Sequence, residues 1–344
     1  MYLIQHNRLR EIGIKIFEQL GASKEEAEIV ANHLVESNLV GHDSHGVVRI
    51  PEYVGRIIGK PILKIEAPPI KLKAKIKVIR ETPTTALIDG DWGFGQVVAR
   101  RAMEIAIKKA KDYQVGLVAA RNCDHVGRAG EFPLMASEQD MIGALFVKTV
   151  PVMAPVGGRG RVIGNNPISI AIPANDGKPI LLDFAMSVAA GGKIIMAIEK
   201  GENIPEGWII DSEGNPSTNP KDYINGGALL PFARHKGYAL SVIVEVLGGI
   251  LSGVGALADY KGINTFLAMA IDIEAFIPLK EFKEKVDKLI RDIKSAQRIG
   301  VEEILLPGEP ELKTKERRIK EGIPIPEKTW NDIVEIARKL KVKI

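Results

Sequence analysis

Two stretches of helical periodicity open the chain. In the first, apolar residues recur at helical spacing over residues 1–20, at Leu9, Ile12, Ile16, Phe17 and Leu20. The second starts at Ser23-Lys24-Glu25-Glu26, a capping-box pattern, and continues with an apolar stripe at Ala27, Val30, Ala31, Leu34, Val35 and Leu39. We predict two amphipathic helices, the second of which ends just before Asp43-Ser44-His45.

From about Lys75 the pattern changes to short apolar runs separated by helices and turns. A helix is predicted between the first two runs, from about Gly95 to Gln114. The predicted strands are Thr85 to Asp89, Val115 to Ala120, Ile142 to Val147, Ile168 to Pro173, Ile180 to Phe184 and Phe266 to Ile273. Strands that alternate with helices predict an α/β layer architecture with a mixed sheet.

Three other segments complete the predicted organisation. A stretch rich in Gly, Pro, Asn and Ser, at about residues 200–225, predicts a surface excursion. The apolar run from Tyr238 to Leu251 contains Glu245 and is too short to cross a bilayer, so we predict a buried core helix there. We expect residues 1–73 to form a helical segment that packs with residues 310–344, and residues 74–309 to form the α/β region.

Composition narrows the class of protein. A chain of 344 residues, 45% hydrophobic and 26% charged, can bury a large core. The net charge of +4 comes without a concentrated basic run, so we expect no nucleic-acid partner. The single cysteine, Cys123, cannot form an intramolecular disulfide. With no signal-peptide pattern and no predicted membrane span, these features favour a cytoplasmic protein.

A conventional dinucleotide fingerprint is missing. The nearest matches to G-x-G-x-x-G are Gly93-Phe94-Gly95 and Gly157-Gly158-Arg159-Gly160, and neither has the third glycine at the required offset. No Gly-Lys-Ser or Gly-Lys-Thr sequence occurs, so a P-loop is also absent. An ordinary Rossmann nucleotide site is therefore disfavoured.

The segment Asp43-Ser44-His45-Gly46, with Arg49 close behind, is the strongest candidate for chemistry. If the segment stays helical, His45 and Arg49 lie four positions apart on one face. A planar guanidinium binds a carboxylate in two places, and a histidine can transfer the proton of a neighbouring oxygen. A histidine exposed at a helix end, without catalytic function, is the alternative interpretation.

The same segment allows two other chemistries. His42, Asp43 and His45 could bind a metal ion in a metal-dependent hydrolase. In a serine hydrolase, Ser44 would be the nucleophile and His45 its base, but adjacent helical residues point about 100° apart and cannot easily hydrogen-bond. No G-x-S-x-G elbow supports the second alternative.

Two further segments could bind an anion or a cofactor. Residues 122–130 follow a predicted strand directly, so His125 and Arg128 are expected at the carboxyl end of that strand, where ligands of α/β sheets bind. Arg234-His235-Lys236-Gly237 begins a predicted helix, whose free N–H groups suit an anion. Solvated turns are the alternative for both.

Taken together, six ordered segments resemble the type-2 malate/L-lactate dehydrogenase family, which includes sulfolactate, ureidoglycolate, diketogulonate and cyclic imino-acid oxidoreductases. The resemblance covers nearly the whole chain. The segments are Asp43-Ser44-His45-Gly46 with Arg49, Asp124-His125-Val126-Gly127, Gly164-Asn165-Asn166-Pro167-Ile168, Leu182-Asp183-Phe184-Ala185-Met186-Ser187, His235-Lys236-Gly237 and Leu306-Pro307-Gly308-Glu309.

The resemblance implies a sulfolactate dehydrogenase-like fold, a non-Rossmann three-layer α/β/α arrangement with a mixed sheet, and a homodimer with NAD or NADP in a cleft. It implies interconversion of a small 2-hydroxy acid and its 2-oxo acid, or reduction of another keto or imino acid of the diketogulonate, ureidoglycolate or cyclic imine type. His45 resembles the acid/base, Ser44 its relay partner and Arg49 the carboxylate clamp. The implied cofactor contacts are His125, Val126, Gly127, Arg128, Ala129, Asn165, Asp183, Phe184, Ala185, His235, Lys236, Leu306, Pro307, Gly308, Glu309, Pro310 and Glu311.

Four positions depart from the family pattern. Arg128 stands where a small or apolar residue is common, and both Asn165 and Met186 stand where threonine is frequent. Lys193 stands where imino-acid reductases have an aspartate, which disfavours an imino substrate. Arg128 adds a positive charge that would favour a dianionic substrate such as malate or sulfolactate, or would face a cofactor phosphate.

Overall fold

Apolar strands from the middle of the chain assemble into one seven-stranded mixed sheet. The computed structural model describes residues 1–62, 66–175, 177–256 and 262–344. Its helices and strands in chain order are β1 (Tyr2–Ile4), α1 (His6–Gln19), α2 (Lys24–Leu39), α3 (Ile50–Ile57), β2 (Lys77–Glu81), β3 (Thr85–Gly93), α4 (Gly95–Tyr113), β4 (Val115–Cys123), α5 (Glu131–Ser137), β5 (Met141–Lys148), β6 (Pro151–Met153), β7 (Ile163–Gly164), β8 (Ile168–Ile172), β9 (Ile180–Phe184), α6 (Gly191–Lys200), β10 (Ile209–Ile210), β11 (Pro216–Ser217), α7 (Pro220–Ile224), β12 (Ala228–Leu229), α8 (His235–Val244), β13 (Asn264–Asp272), α9 (Leu279–Lys294), α10 (Glu309–Glu321), β14 (Ile323–Ile325) and α11 (Glu327–Lys339).

The order of strands in the large sheet is β2-β3-β4-β13-β5-β8-β9. The β3–β4 pair is parallel, and the other neighbouring pairs are antiparallel. All six predicted strands lie in this sheet, so the predicted α/β class with a mixed sheet is confirmed. The sequence pattern missed β2 because every residue of this edge strand is exposed, which leaves no buried face to produce an alternating signal.

Small residues on one face of the sheet let two helices approach closely. Gly116 of β4 and Gly143 of β5 both lie in register with Ala270 of β13. A Cβ atom on Gly116 would lie 2.0 Å from the carbonyl oxygen of Ala106 in α4, and one on Gly143 would lie 2.4 Å from that of Pro133 in α5. The small residues Gly116, Ala270 and Gly143, which lie side by side on three strands, therefore let α4 and α5 pack closely against the sheet. This packing positions the loop that joins β4 to α5.

Alternate residues of β5 face opposite sides of the sheet. Leu145 and Val147 belong to the core cluster that contains α4 and α5 residues. Phe146 instead packs with residues of the β6–α8 region. On that second side a π-helical turn, Glu245–Gly249, continues α8 and brings Gly248 against the backbone of β5. Helical layers therefore cover both faces.

The two ends of the chain share one hydrophobic cluster. Leu9, Phe17 and Leu34 from the N-terminal helices pack with Ile323 and Ile333 from the C-terminal segment. Strand β1 pairs with β14 in an antiparallel two-stranded sheet. The predicted capping box is present at the start of α2, where the Ser23 hydroxyl accepts from the Glu26 N–H and the Glu26 carboxylate accepts from the Ser23 N–H.

The prediction of a buried core helix from Tyr238 to Leu251 is wrong. Gly237, Ser241 and Val244 of α8 are buried, because small residues let the helix sit close to its neighbours. The large apolar side chains remain open to solvent, at Leu240, Val242, Ile243, Val246, Ile250 and Leu251. Among the residues that the structure describes, none of the helices combines the length and apolarity needed to span a bilayer.

The segment predicted as a surface excursion contains regular structure. Strands β10 and β11, with helix α7, lie within it, and the strands join β12, β6 and β7 in a second sheet of order β11-β10-β12-β6-β7. Each of these strands has only two or three residues. Strands this short are below the length at which alternation can be recognised from sequence.

Candidate active site

Two tight 3₁₀ turns, Asp43–His45 and Val47–Arg49, follow α2, and Gly46 between them is extended. The Asn38 side chain holds this segment from beneath. Its amide nitrogen donates to Asp43 Oδ1 at 2.7 Å, and its oxygen accepts from the Val47 N–H at 2.8 Å. A Cβ atom on Gly46 would lie 2.2 Å from the Asn38 oxygen, so only glycine fits there.

The C-terminal helix α10 completes the support of this segment. Arg318 donates to both carboxylate oxygens of Asp43, at 2.6 and 3.0 Å, and also to the Asn38 carbonyl. His42 Nε2 lies 3.3 Å from Glu311 Oε1 of the same helix. Sequence reasoning missed Asn38 and Arg318, because nothing local indicates that residues so far apart in the chain meet here.

The structure corrects two expectations about the segment from Ser44 to Arg49. Ser44 Oγ lies 3.0 Å from His45 Nδ1, which is within hydrogen-bond distance although the residues are adjacent. The expected 100° separation does not apply, because the segment is a 3₁₀ turn and not an α-helix. The expectation that one helix continues from His45 to Arg49 is also wrong, since the extended Gly46 interrupts it. Arg49 is held instead by a hydrogen bond that its Nε donates to the Ser44 carbonyl at 2.7 Å.

A second histidine stacks on His45. The ring centroids of His45 and His125 are 5.5 Å apart, with 24° between the ring planes. Gln96 donates to the Tyr53 hydroxyl at 2.7 Å, and that hydroxyl lies 2.8 Å from His125 Nδ1. The Tyr53 hydroxyl therefore links the Gln96 amide to the His125 ring. Tyr53 and Gln96 are positioning residues that the sequence did not reveal.

Burial and positive charge keep both histidines neutral. His45 is half-buried, and desolvation lowers its pKa to about 3, with Arg49 as the next cause. The pKa of His125 is also lowered well below its ordinary value, by burial first and then by Arg49. Burial raises the pKa of Tyr53, so its hydroxyl keeps its proton. The site therefore holds neutral imidazoles beside permanent cations.

A buried ion pair anchors the backbone beneath His125. Asp124 Oδ1 accepts from the His125 N–H at 2.7 Å, and Asp124 Oδ2 lies 2.5 Å from Arg56 Nε. Arg56 also donates to the Pro68 carbonyl at 2.7 Å. Burial raises the pKa of Asp124, and Arg56 opposes that shift. The pair fixes the start of the loop that carries His125.

Strand β9, the last strand in the sheet order, brings the remaining predicted segments together. Leu181 donates its N–H to the Pro307 carbonyl at 3.0 Å. Asp183 Oδ2 accepts from the Gly130 N–H at 2.9 Å. The rings of Phe184 and Phe232 meet edge to face at 5.4 Å, close to the start of α8. The loops at residues 122–130, 231–237 and 306–311 therefore border one region.

The predicted cofactor residues do not all present side chains to this region. Val126, Gly127 and Ala129 are buried, and the Val126 N–H donates to Asn264. Leu306 and Gly308 are also buried, whereas Pro307 and Pro310 are exposed, and Glu309 accepts from the Leu306 N–H. The exposed or half-buried side chains that remain are those of His125, Asn165, Asp183, Phe184, Ala185, His235, Lys236 and Glu311.

The residues proposed for a metal site do not converge. His42 is directed to Glu311, Asp43 to Arg318 and His45 to Ser44. Within the described ranges, no cluster of three or more His, Cys, Asp or Glu side chains is arranged to hold a metal ion. The side chains that a metal-dependent hydrolase would use as metal ligands therefore bind other partners in this protein.

Comparison with known proteins assigns the class. The family model for malate/L-lactate dehydrogenase matches residues 4–334. The chain is 45% identical to malate dehydrogenase of Pyrococcus horikoshii, with 99% of this chain and 96% of that protein aligned. It is 40% identical to L-sulfolactate dehydrogenase of Methanocaldococcus jannaschii, over 97% of this chain and 96% of that protein. The solved structure of the Pyrococcus horikoshii malate dehydrogenase superposes with a TM-score of 0.89 at 43% identity, covering 99% and 96% of the two chains.

The non-Rossmann α/β fold and the named relatives together define a dehydrogenase of 2-hydroxy acids. The chain belongs to the malate/L-lactate dehydrogenase family. This membership overturns the hydrolase alternatives and implies a nicotinamide cofactor. The residues present fit such a group, since Phe184 offers an exposed aromatic face and His235 and Lys236 stand exposed at the N-terminus of α8, where N–H groups favour an anion.

We expect Tyr53→Phe to lower the free energy of unfolding by about 1–3 kcal/mol, because the Gln96 amide and His125 Nδ1 lose a buried partner. Urea unfolding followed by circular dichroism measures the change. Tyr113→Phe is the matched control, because Tyr113 is 50% exposed. Equal stability of the two variants would contradict the assigned network.

His45 should also make stability depend on pH. Its pKa is near 6.5 in the unfolded chain and about 3 in the folded protein, so the unfolded state binds more protons between these values. The free energy of unfolding therefore falls as the pH drops from about 6.5. His45→Asn should lose less stability than the wild type between pH 7.5 and pH 4.5, whereas His6→Asn in α1 should follow the wild type. Parallel curves for all three proteins would count against the lowered pKa.

Proposed function

We propose that this protein reversibly oxidises a small 2-hydroxy acid of the malate, lactate or sulfolactate type to its 2-oxo acid, with NAD or NADP as cofactor. The observation that carries the proposal is the neutral, desolvated His45 beside Ser44 and Arg49. Bound nicotinamide would supply the acceptor for the hydride. The protein's own residues hold the acid and move its hydroxyl proton.

In the direction of oxidation, Arg49 binds the C1 carboxylate and aligns the 2-hydroxyl with His45. Neutral His45, with its Nδ1 proton donated to Ser44 Oγ, presents the lone pair of Nε2 as the base. The hydroxyl proton moves to Nε2, the C2–H bond breaks with loss of a hydride, and the C2–O bond becomes a carbonyl. Ser44 orients the ring and stabilises the imidazolium.

Reduction requires a protonated His45, which the ligand-free site disfavours. A bound carboxylate offsets the positive charge of Arg49, which is one of the causes of the low His45 pKa. Anion binding therefore raises that pKa towards neutrality and prepares the acid. His125, whose ring stacks on that of His45, is suited to hold the substrate oxygen near His45.

The position of Lys193 supports a hydroxy acid over an imino acid. A Cβ atom on Gly192 would lie 2.8 Å from the Ser44 Cβ, so the start of α6 approaches the Ser-His pair closely. The next residue there is a lysine and not a carboxylate that could relay a proton from an imine. The names of the malate and sulfolactate dehydrogenases among its relatives also support a hydroxy acid.

A second copy of this chain is the partner that we propose for the exposed apolar face of α8 and its π-helical turn. The face comprises Leu240, Ile243 and Val246, with Ile250 and Leu251 of the 3₁₀ turn that follows, and within residues 238–252 the charged residue, Glu245, is buried. Contiguous apolar surface of this kind marks interaction sites in soluble proteins. The family resemblance likewise implies a homodimer.

His45→Ala should lower kcat by roughly 10²- to 10⁴-fold, the scale of general acid–base catalysis. Oxaloacetate, pyruvate and sulfopyruvate, each with NADH and with NADPH, form the assay panel, followed by loss of absorbance. His6→Ala is the matched histidine control. Absence of turnover across the panel would reject the reaction, and an unchanged kcat in His45→Ala would remove His45 from its role.

Ile243→Asp should convert a dimer into a monomer, because it buries a charge in the proposed interface. Light scattering after size exclusion gives the mass. Ile299→Asp is the control, since Ile299 is 87% exposed outside this face. A wild type that is already monomeric, or a dimer that survives Ile243→Asp, contradicts the proposal.

A further inference from the structure

Arg128 carries buried hydrogen-bond donors that the protein does not use. Its side chain is only 3% exposed, and it follows His125 in the loop between β4 and α5. Among the residues described by the structure, neither Nε nor Nη1 of this guanidinium has a hydrogen-bond partner. Buried polar groups are normally paired, so unused donors beside the candidate active site call for a ligand.

The loop holds Arg128 firmly in place. Its backbone N–H donates to His33 Nε2 at 2.9 Å, and His33 Nδ1 lies 2.8 Å from Glu131 Oε2. The His33 ring also stacks on Phe132, with centroids 5.6 Å apart. A Cβ atom on Gly130 would lie 2.9 Å from Arg128 Nη1, so the absence of a side chain there makes room for the guanidinium. A ligand would therefore meet a preorganised donor.

Arg128 belongs to the same charge cluster as the reacting group. Its guanidinium is among the charges that lower the pKa of His45, together with that of Arg49. It also acts on three nearby carboxyl groups. Burial raises the pKa of Asp183 and Arg128 opposes that rise, whereas the pKa values of Glu131 and Glu311 are lowered mainly by His33 and His42 respectively, with Arg128 as a further cause. These carboxyl groups offset part of its charge but leave the Nε and Nη1 donors unpaired.

We propose that Arg128 binds the second acid group of a dianionic 2-hydroxy acid, while Arg49 binds the C1 carboxylate. This inference rests on the proposed function, and it selects 2-hydroxy acids with a carboxylate or sulfonate at the far end over monoanionic ones. A guanidinium fork matches the paired oxygens of either group. A monoanionic acid such as lactate leaves the buried donors unpaired and gains nothing from them.

A cofactor phosphate would present similar anionic oxygens to Arg128. The experiment therefore distinguishes an acid group of the substrate from a phosphate of the cofactor. Arg128→Met keeps the length of the side chain and removes the charge, and Arg100→Met, on the exposed surface of α4, is the matched control. We expect kcat/KM for oxaloacetate and sulfopyruvate to fall by on the order of 10²-fold or more. The value for pyruvate should change by less than about threefold, and the Kd of NADH or NADPH, measured by fluorescence without substrate, should stay constant.

A binding measurement keeps the test independent of turnover. Malonate should raise the melting temperature of the wild type more than acetate does, and Arg128→Met should abolish that difference. If the variant does not fold, Arg128→Lys provides the same comparison, with charge kept and the planar fork lost. A wild type that turns over none of the 2-oxo acids defeats the proposed function, and the malonate comparison still decides on Arg128.

Three results would overturn the assignment of Arg128. The first is an equal loss of kcat/KM for all three 2-oxo acids with a raised Kd for the cofactor, which assigns Arg128 to a phosphate. The second is an unchanged preference between oxaloacetate and pyruvate in a folded variant. The third is a malonate effect that is the same in the wild type and in Arg128→Met.

Discussion

One amide side chain, that of Asn38, forms two hydrogen bonds that determine where His45 lies. Its nitrogen binds Asp43 and its oxygen binds the Val47 backbone, so both sides of Gly46 are held by a single residue of α2. Helix α2 is itself fixed by its capping box and by the apolar cluster of the two chain ends. The position of the His45 imidazole thus depends on packing well outside the candidate site.

Electrostatics in the cleft follow from desolvation. Cations and imidazoles lie close together in a largely buried region, and the carboxyl groups of Asp124 and Asp183 have raised pKa values because burial disfavours their charge. Positive charge in such a site is stabilised by an anion that binds there. Under the proposed function the substrate is that anion, and its binding would link recognition of the acid to the protonation of His45.

Much of the fold was predictable from sequence, because periodicity reports burial on one face. The six strands of the sheet, the capping box of α2 and the segments that border the cleft all had local signals. Contacts between residues that are distant in the chain had no local signal. An example is the contact between Tyr53 and His125, which are 72 positions apart. Helix geometry argued against a Ser44–His45 hydrogen bond because an α-helix was assumed where the chain makes a 3₁₀ turn, although the family resemblance implied Ser44 as the relay partner of His45. The exposure of α8 was missed because an apolar run cannot distinguish a core from an interface.

The contact between Arg318 and Asp43 joins positions that are 275 residues apart. During synthesis the Asp-Ser-His segment leaves the ribosome long before α10, the helix that supports it, has been made. Closure of so long a loop comes late in folding, because its entropic cost is recovered only by contacts already formed around it. An incomplete chain therefore lacks the contact that α10 makes with the Asp-Ser-His turn, so this turn gains its full support only when the C-terminal helix has been made.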